Sequence, residues 1–165
     1  MKDYRNVIRG RQAKKNGQKF ETILEDSAHR THWDIIKIPL GAKQVSAVKL
    51  IRTQTPFDFV FIKKEKVLFV DAKTTKAKNY SFSAVTDHQL KELLICESHG
   101  HKAGYIVNFI EQKKTIFFSA TQLKNITQGS SLSPSDGILV GENFIINLDR
   151  IYSYPTMVHS STRSV

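Results

Sequence analysis

Residues 56–73 constrain the fold more than any other part of the chain. They read PFDFVFIKKEKVLFVDAK, in which two short apolar runs, 57–62 and 67–70, flank a charged turn. This pattern predicts a β-hairpin. Because side chains alternate across a strand, Asp71 and Lys73 are expected on the same face. Burying such charges without partners costs roughly several kcal/mol, so the pair predicts a site for a metal ion and a phosphate.

The charge balance indicates a polyanionic partner. The 165 residues contain 25 Lys and Arg against 15 Asp and Glu, which gives a net charge of +10. A chain this basic is expected to bind nucleic acid first and an anionic membrane surface second. Its length suits one domain over residues 1–165.

The single cysteine, Cys96, excludes an intrachain disulfide and a cysteine zinc cluster. No run is long and apolar enough to suggest a membrane span or a signal peptide. We therefore expect a cytoplasmic compartment, associated with the nucleoid, or the host cytoplasm if the protein is viral.

The first residues are rich in cations. Gly10, Asn16 and Gly17 disfavour a long helix, so residues 1–16 are interpreted as a flexible basic arm. A solvated, disordered terminus explains the same charge pattern. The expected DNA-binding side chains in this stretch, which continues to residue 19, are Arg5, Arg9, Arg11, Lys14, Lys15 and Lys19.

A helix is predicted over residues 20–29 because apolar residues recur there at helical spacing. Glu21 and Glu25 lie one turn apart at the border of this apolar stripe. Two readings stay open: a solvated helix edge, or one acid, preferably Glu21, that faces a metal ion.

The remaining segments alternate between strands and helices. Strands are predicted at 33–39, 103–110 and 115–118, a helix from Thr86 or Asp87 to about His99, and a short helix after Ser119. An irregular, partly extended basic loop is expected at 41–55, a small appended hairpin at 138–148 and a loose tail at 155–165. This order predicts an α/β fold in which helices flank a mixed sheet.

The loop that follows Lys73 combines cations with aromatic residues. Lys76 and Lys78 precede Tyr80 and Phe82, a combination that suits contact with a sugar–phosphate backbone. The alternative is that the aromatic rings simply pack beneath the loop. Further along, Gln89 lies in the first turn of the next predicted helix, where an inward-facing amide needs hydrogen-bond partners.

The hairpin carries groups suited to phosphodiester hydrolysis. Asp58 and Asp71 lie on adjacent predicted strands, so they can flank one Mg²⁺ or Mn²⁺, which prefer oxygen ligands. The carbonyl of Ala72 and the carboxylate of Glu21 are further candidate ligands. Lys73 is expected to orient the attacking water or to stabilise developing negative charge.

The motif resembles that of a known nuclease superfamily. Pro56, Asp58 and the run Asp71-Ala72-Lys73 resemble the PD-(D/E)xK signature. The surrounding segments, including Phe20-Glu21, His88-Gln89 and a run Ala103-Gly104-Tyr105-Ile106-Val107, resemble RecU-type Holliday junction resolvases, which are similar to the archaeal resolvase Hjc. The resemblance covers roughly residues 17–123.

The resemblance implies a restriction-endonuclease-like fold, Mg²⁺ as cofactor, and a homodimer that places two sites on opposing strands of a four-way junction. It also implies that Glu21, Asp58 and Asp71 are metal-associated acids, Lys73 the catalytic lysine and Gln89 a supporting residue. The chain departs from RecU proteins in three ways: Asp71 replaces a glutamate, the stalk insertion is missing or reduced to about 41–55, and the region after about 128 has no clear counterpart.

Two other functions remain open at this point. One is a nuclease of the same superfamily with restriction or repair specificity, and the other is a noncatalytic DNA-binding module. A zinc site is not predicted, because no cysteine supports the histidines and their spacings do not converge; these are His29, His32, His88, His99 and His101.

Overall fold

The computed structural model describes residues 4–39, 42–46, 49–52, 55–126 and 129–154, and for 4–7, 42–46 and 49–52 it describes the backbone alone. The helices are α1 Tyr4–Arg30, α2 Asp87–Ser98, α3 Ala120–Lys124 and α4 Arg150–Ser153. The strands are β1 Asp34–Lys37, β2 Ala42–Ser46, β3 Lys49–Arg52, β4 Phe59–Lys63, β5 Lys66–Thr75, β6 Tyr80–Ser81, β7 Lys102–Phe109, β8 Lys114–Ser119, β9 Ser131–Leu132, β10 Ile138–Glu142 and β11 Ile145–Ile146.

The main sheet has seven strands in the order β1-β4-β5-β7-β8-β10-β11. The pairing of β5 with β7 is parallel, and the other pairings are antiparallel. Two small sheets, β2-β3 and β6-β9, lie apart from it. The predicted mixed α/β sheet is therefore confirmed.

The predicted hairpin is formed by β4 and β5, with a tight turn in which Lys64 has a positive φ of 54°. Phe59, the first residue of β4, is paired with Val70. The rest of β5, from Asp71 to Thr75, is paired with β7 on one side and extends past the beginning of β4 on the other. Among the strands that the structure describes, none pairs with this edge of β5 beside Asp58, which immediately precedes β4; we call it the open edge of β5.

Two apolar layers cover the two faces of the sheet. Phe20 and Leu24 of α1 pack with Phe59, Phe61 and other buried side chains on one face. On the other face, a second buried cluster joins α2 and α3 to β7 and β8. The strict alternation along β5 places its even-numbered residues in the first layer and its odd-numbered residues toward the second.

Helix α1 corrects the prediction for the N-terminus. Residues 4–16 are helical and continuous with the predicted helix at 20–29, so a flexible arm is wrong for this stretch; residues 1–3 lie outside the described part. The glycines cost about 1 kcal/mol each, but the packed second half of α1 supplies the nucleus and further turns need only propagate from it. Gln12 Nε2 also donates to Asn16 Oδ1 at 2.9 Å.

Two further segments differ from their predictions. The loop expected at 41–55 contains the antiparallel pair β2-β3. The hairpin expected to be appended is instead part of the main sheet, because β10 pairs with β8. Ile146, Leu148 and Ile151 are buried in the first apolar layer, which explains why this region cannot be peripheral.

The C-terminal segment is also held to the β4–β5 hairpin by polar contacts. Asp149 forms ion pairs with Lys63 at 2.7 Å and with Lys66 at 3.3 Å. The Tyr152 hydroxyl donates to the Val67 carbonyl at 2.8 Å. The tail predicted at 155–165 lies outside the described residues. In the part of the chain that is described, no helix has the length and apolar character needed to cross a membrane.

Candidate active site

Asp71 lies at the open edge of β5 and is the most deeply buried acid of the site, with no exposed surface. Its Oδ1 accepts a hydrogen bond from Gln89 Nε2. Its Oδ2 is in ion-pair contact with Lys73 Nζ and forms no regular hydrogen bond within the described chain. Burial raises the pKa of the Asp71 carboxyl to about 7; the Lys73 ammonium opposes this rise and Asp58 adds to it.

Lys73 lies on the same face of β5, as the alternation predicts. Its side chain is 27% exposed, so it is partly accessible to solvent. Nζ donates to Gln89 Oε1 at 3.3 Å and lies 5.4 Å from the centre of the Tyr105 ring. Burial alone would lower the pKa of Lys73, but the Asp71 carboxylate outweighs it and the pKa is raised. Lys73 is therefore held as a cation.

Gln89 links the acid and the lysine. It lies in the first turn of α2, donates to Asp71 and accepts from Lys73. The Tyr105 hydroxyl also donates to Gln89 Oε1, at 3.4 Å, and accepts from the Thr86 N–H at 3.2 Å. The predicted inward-facing amide thus has partners on both sides of its carboxamide group.

Tyr105 is the residue of the site that sequence reasoning did not identify. It is fully buried in β7 and is the register partner of Asp71 in the parallel β5–β7 pair. Neighbouring residues in register point to the same face, which brings its ring beneath Lys73. A local signal was present, a tyrosine within an apolar strand, but its proximity to Asp71 depends on the pairing of two distant strands.

Asp58 lies beside β5 because the chain enters β4 at this point. Its backbone N–H donates to the Val70 carbonyl at 3.0 Å and its carbonyl accepts from Ile38 at 2.8 Å. Its side-chain Oδ2 accepts from the Ala72 N–H at 2.9 Å. In a strand the N–H and carbonyl of one residue point to the same side, so the Ala72 carbonyl is directed toward Asp58 as well.

These groups fit a small divalent cation. Asp71 Oδ2 is buried and contacts the Lys73 ammonium, and the Asp58 carboxylate is close enough to raise the pKa of Asp71. A cation between them would compensate both charges. The donors are all oxygen, as Mg²⁺ and Mn²⁺ prefer.

Glu21 is not joined to this pair. Its carboxylate forms an ion pair with Lys37 at 2.7 Å, and Glu25 contacts the same ammonium at 3.2 Å. Both acids raise the pKa of Lys37 against the effect of burial, with the hydrogen bond to Glu21 as the largest cause. Within the described residues no three His, Cys, Asp or Glu side chains form a metal cluster. Glu21 as a metal ligand stays a prediction.

The predicted DNA-binding cations of α1 lie at the active-site end of the sheet. Glu21 contacts Lys37, which is opposite Phe59 at the beginning of β4, whereas Thr31, after α1, contacts Lys63 at the other end of β4. The part of α1 that precedes Glu21 therefore lies toward the active-site end, and its first 16 residues are about 24 Å long. Their described cations are exposed: Arg9, Arg11, Lys14, Lys15 and Lys19.

Lys76 and Lys78 lie at the same end, because they follow the last residue of β5, and both are exposed. The Lys78 carbonyl accepts from Gln112 in the β7–β8 turn at 2.9 Å, which fixes the loop. Arg5 belongs to α1, but its side chain is outside the described part. Cys96 is half-buried and its thiol pKa is raised by burial, as expected for a cysteine without a catalytic role.

Comparisons with known proteins identify the family and a similar fold. The family model RecU, described as recombination protein U, matches residues 15–140. No significant match exists among curated proteins. The fold is similar to the 1.6 Å structure of Hjc from Archaeoglobus fulgidus, a Holliday junction resolvase, with a TM-score of 0.54, 16% identity, and coverage of 75% of this chain and 96% of Hjc. The matched segment extends through Val140 and so includes the first three residues of β10.

Proposed function

The chain belongs to the RecU family of recombination proteins, and we propose on this premise that it resolves four-way DNA junctions by metal-assisted phosphodiester hydrolysis. The family and the nuclease fold together support a Holliday junction resolving endonuclease. The observation that carries the chemistry is the arrangement of Asp58, Asp71 and Lys73 at the open edge of β5.

The proposed cofactor is Mg²⁺, for which Mn²⁺ would substitute. Asp58, Asp71 and the Ala72 carbonyl would hold it. Glu21 would be a further ligand if its carboxylate left Lys37 and contacted the metal. A cation bound there neutralises phosphate charge and lowers the pKa of a bound water. The open edge of β5 leaves room for the phosphate, since no strand within the described residues pairs with it.

Lys73 is proposed to stabilise the negative charge that develops on the phosphate, or to orient the attacking water. It is a cation at the surface of the site, 3.3 Å from Gln89. Gln89 and Tyr105 position this ammonium and Asp71 through their hydrogen bonds and do not themselves contact the reacting atoms. Such positioning keeps the charge in place before the reaction, which is the main requirement for electrostatic catalysis.

The proposed DNA surface is the active-site end of the sheet, where α1 and the loop after β5 carry exposed cations. We propose that a homodimer presents two such sites to opposing strands of the junction, as the RecU resemblance implies. Because the proposed substrate is DNA, we propose that the protein acts in the cytoplasm, in association with the nucleoid.

Cleavage of a four-way junction tests this proposal. With Mg²⁺, wild-type protein is expected to cut a junction faster than a linear duplex of the same sequence, and EDTA should abolish cutting. Strand cleavage is followed on denaturing gels with each strand labelled in turn. The mass of the complex with an intact junction in EDTA is expected to correspond to two protein chains.

Each alternative gives a different result. Equal cutting of junction and duplex would favour a restriction or repair nuclease and contradict the resolvase. Tight junction binding without any cutting in Mg²⁺ or Mn²⁺ would favour a noncatalytic module. A complex that contains one protein chain would contradict the homodimer.

Replacement of α1 cations is expected to weaken binding in a salt-dependent way. A lysine side chain that binds a DNA phosphate displaces a counterion from the DNA. Removing one such lysine should therefore reduce the magnitude of the slope of log association constant against log salt concentration by about 0.9. We therefore expect Lys14→Gln with Lys15→Gln to lower junction affinity at low salt and flatten the slope. Fluorescence anisotropy over a salt series in EDTA measures both.

Lys64→Gln is the matched control, because Lys64 is exposed in the β4–β5 turn, at the opposite end of the sheet from the site. It removes one surface charge, where the α1 variant removes two, and it should keep the wild-type slope. If the control flattened the slope as much as the α1 variant, the assignment of DNA binding to this end of the sheet would be wrong.

A further inference from the structure

The turn between β10 and β11 holds a phenylalanine in a backbone conformation that favours glycine. Gly141 pairs with Ile146 and Glu142 with Ile145, which leaves Asn143 and Phe144 as a two-residue turn. Their φ angles are 49° and 66°. Turns of this kind require positive φ at both positions and strongly prefer glycine at the second. A bulky residue there is disfavoured unless its side chain has a role.

The Phe144 ring is not used to fill the core. It is 41% exposed, and the adjoining Ile145 is 69% exposed. Lys19 Nζ of α1 lies 5.3 Å from the ring centre. The turn thus presents an aromatic and an aliphatic side chain to the surface, next to a cation.

This turn lies at the same end of the sheet as the active site. Thr75 at the end of β5 is in register with Phe109, Phe109 with Lys114, and Lys114 with Glu142 next to the turn. Three strand spacings separate β5 from β10, about 14 Å. That length equals about four base steps of B-form DNA at 3.4 Å each, and Asp71 lies four residues, about 13 Å, back along β5 from Thr75.

We propose that Phe144 stacks on a base at the branch point of the bound DNA, where the exchange of strands interrupts base stacking, while Lys19 contacts the adjoining phosphate. The inference rests on the proposed function, because a branch point near the cut supplies bases that are free to stack. Aromatic rings beside cations are the usual means of holding unpaired bases. Phe144 lies beyond residue 140, where the family match ends, so the contact would belong to this chain rather than to the matched segment.

The net charge of the chain favours DNA over a second copy of the chain. The groove beside Phe144 carries charges of both signs, since it is lined by Ile23, Asp26, His29 and Arg30, and Lys19 covers part of the ring. The chain as a whole carries a net charge of +10. Two copies would therefore repel each other, whereas a nucleic acid would neutralise this charge.

Two variants of Phe144 separate stacking from simple apolar contact. Phe144→Leu keeps an apolar side chain and the same backbone requirement but removes the aromatic face. We expect its affinity for a four-way junction to fall about five- to a hundredfold, with affinity for linear duplex unchanged. Phe144→Trp should retain or increase junction affinity. Affinities are measured by fluorescence anisotropy in EDTA, so that no strand is cut.

Asn143→Gly is the matched control, since it changes the same turn and keeps the ring. It should bind the junction as wild type does. Junctions that carry 2-aminopurine beside the branch point give a direct readout, because the fluorescence of the base changes when a ring stacks on it. The change seen with wild type should be absent with Phe144→Leu and present with Asn143→Gly.

The outcomes distinguish this inference from the proposed function. If wild type cuts junctions in Mg²⁺ but Phe144→Leu binds them equally well, stacking is rejected and the resolvase stands. If Phe144→Leu loses junction affinity but wild type cuts nothing, stacking is supported and the nuclease is rejected. A change in the mass of the free Phe144→Leu protein, or a loss of Tm beyond about 4 °C, would assign the ring to subunit contact or packing and overturn the proposal.

Discussion

Asp71→Asn is expected to slow junction cleavage in Mg²⁺ by about 10²- to 10³-fold, the scale on which the loss of one charge-stabilising group slows catalysis. The change removes the negative charge of the most buried acid at the site, and with it the proposed metal ligand. The measurement is the single-turnover rate of strand cleavage at saturating protein.

The same variant is expected to fold and to bind junctions in EDTA. Asparagine has the shape of aspartate and can still accept the hydrogen bond from Gln89. Burial raises the pKa of Asp71 to about 7, above its value in the unfolded chain. Its ionisation therefore costs stability as pH rises from about 4 through 7, and the neutral amide avoids this cost at pH 8. We expect the Tm at pH 8 to be retained.

Asp34→Asn serves as the control, because Asp34 is an exposed acid at the beginning of β1 and the change in charge is the same. It should cleave at the wild-type rate. If Asp71→Asn cleaved at the wild-type rate, the assignment of the catalytic site to the open edge of β5 would be wrong. A large decrease in the Tm of Asp71→Asn would show that the Asp71 carboxylate is needed mainly to neutralise the charge of the Lys73 ammonium.

Gly104→Ala is expected to produce the largest loss of stability, about 3 kcal/mol or more. A Cβ at this position in β7 would lie 2.0 Å from the Phe118 carbonyl oxygen and 2.9 Å from the Ser119 Cα. Both atoms belong to the backbone of β8 or its end, so neither can move without disturbing the sheet. The free energy of unfolding is measured by urea denaturation.

Gly17→Ala is the matched control, since it adds the same methyl group. Gly17 lies within α1 and has no atom within 4 Å of the added Cβ. Alanine is favoured over glycine in a helix by about 1 kcal/mol, so this variant should be slightly more stable than wild type. Equal effects of the two changes would mean that the close approach of β7 to β8 is not a stability requirement.

The close approach at Gly104 also matters for the site, because the next residue is Tyr105. A displacement of β7 would move the hydroxyl that contacts Gln89 at 3.4 Å and Thr86 at 3.2 Å. Where Gly104→Ala still folds at low temperature, it should therefore cleave more slowly than wild type.

Prediction from the sequence succeeds where the signal is local. The hairpin of β4 and β5, helix α2 and its end at Gly100, and the cap of α3 at Ser119 all follow from periodicity and turn chemistry over a few residues. Ser119 forms the full capping box with Gln122, and Gly100 has the positive φ, 85°, of a helix end. These segments are confirmed.

The errors have a common cause, which is dependence on distant contacts. Gly10 and Gly17 disfavour a helix locally, but α1 grows from a nucleus stabilised by packing against the sheet. The strands near the C-terminus look peripheral locally, yet β10 pairs with β8 and Leu148 is buried in the core. In both cases tertiary packing outweighs local preference.

The sequence alone determined that Asp71 and Lys73 share a face of β5, because alternation is a property of the single strand. It also placed Gln89 at the beginning of α2 and Asp58 in the neighbouring strand, which in the structure begins one residue later, at Phe59. Only the tertiary structure decided that β5 continues past β4, which opens the edge at Asp71, and that Tyr105 lies in register beside it. The parallel pairing of β5 and β7 joins residues more than 30 positions apart, and no local pattern specifies such a pairing; it is set by how the whole chain packs.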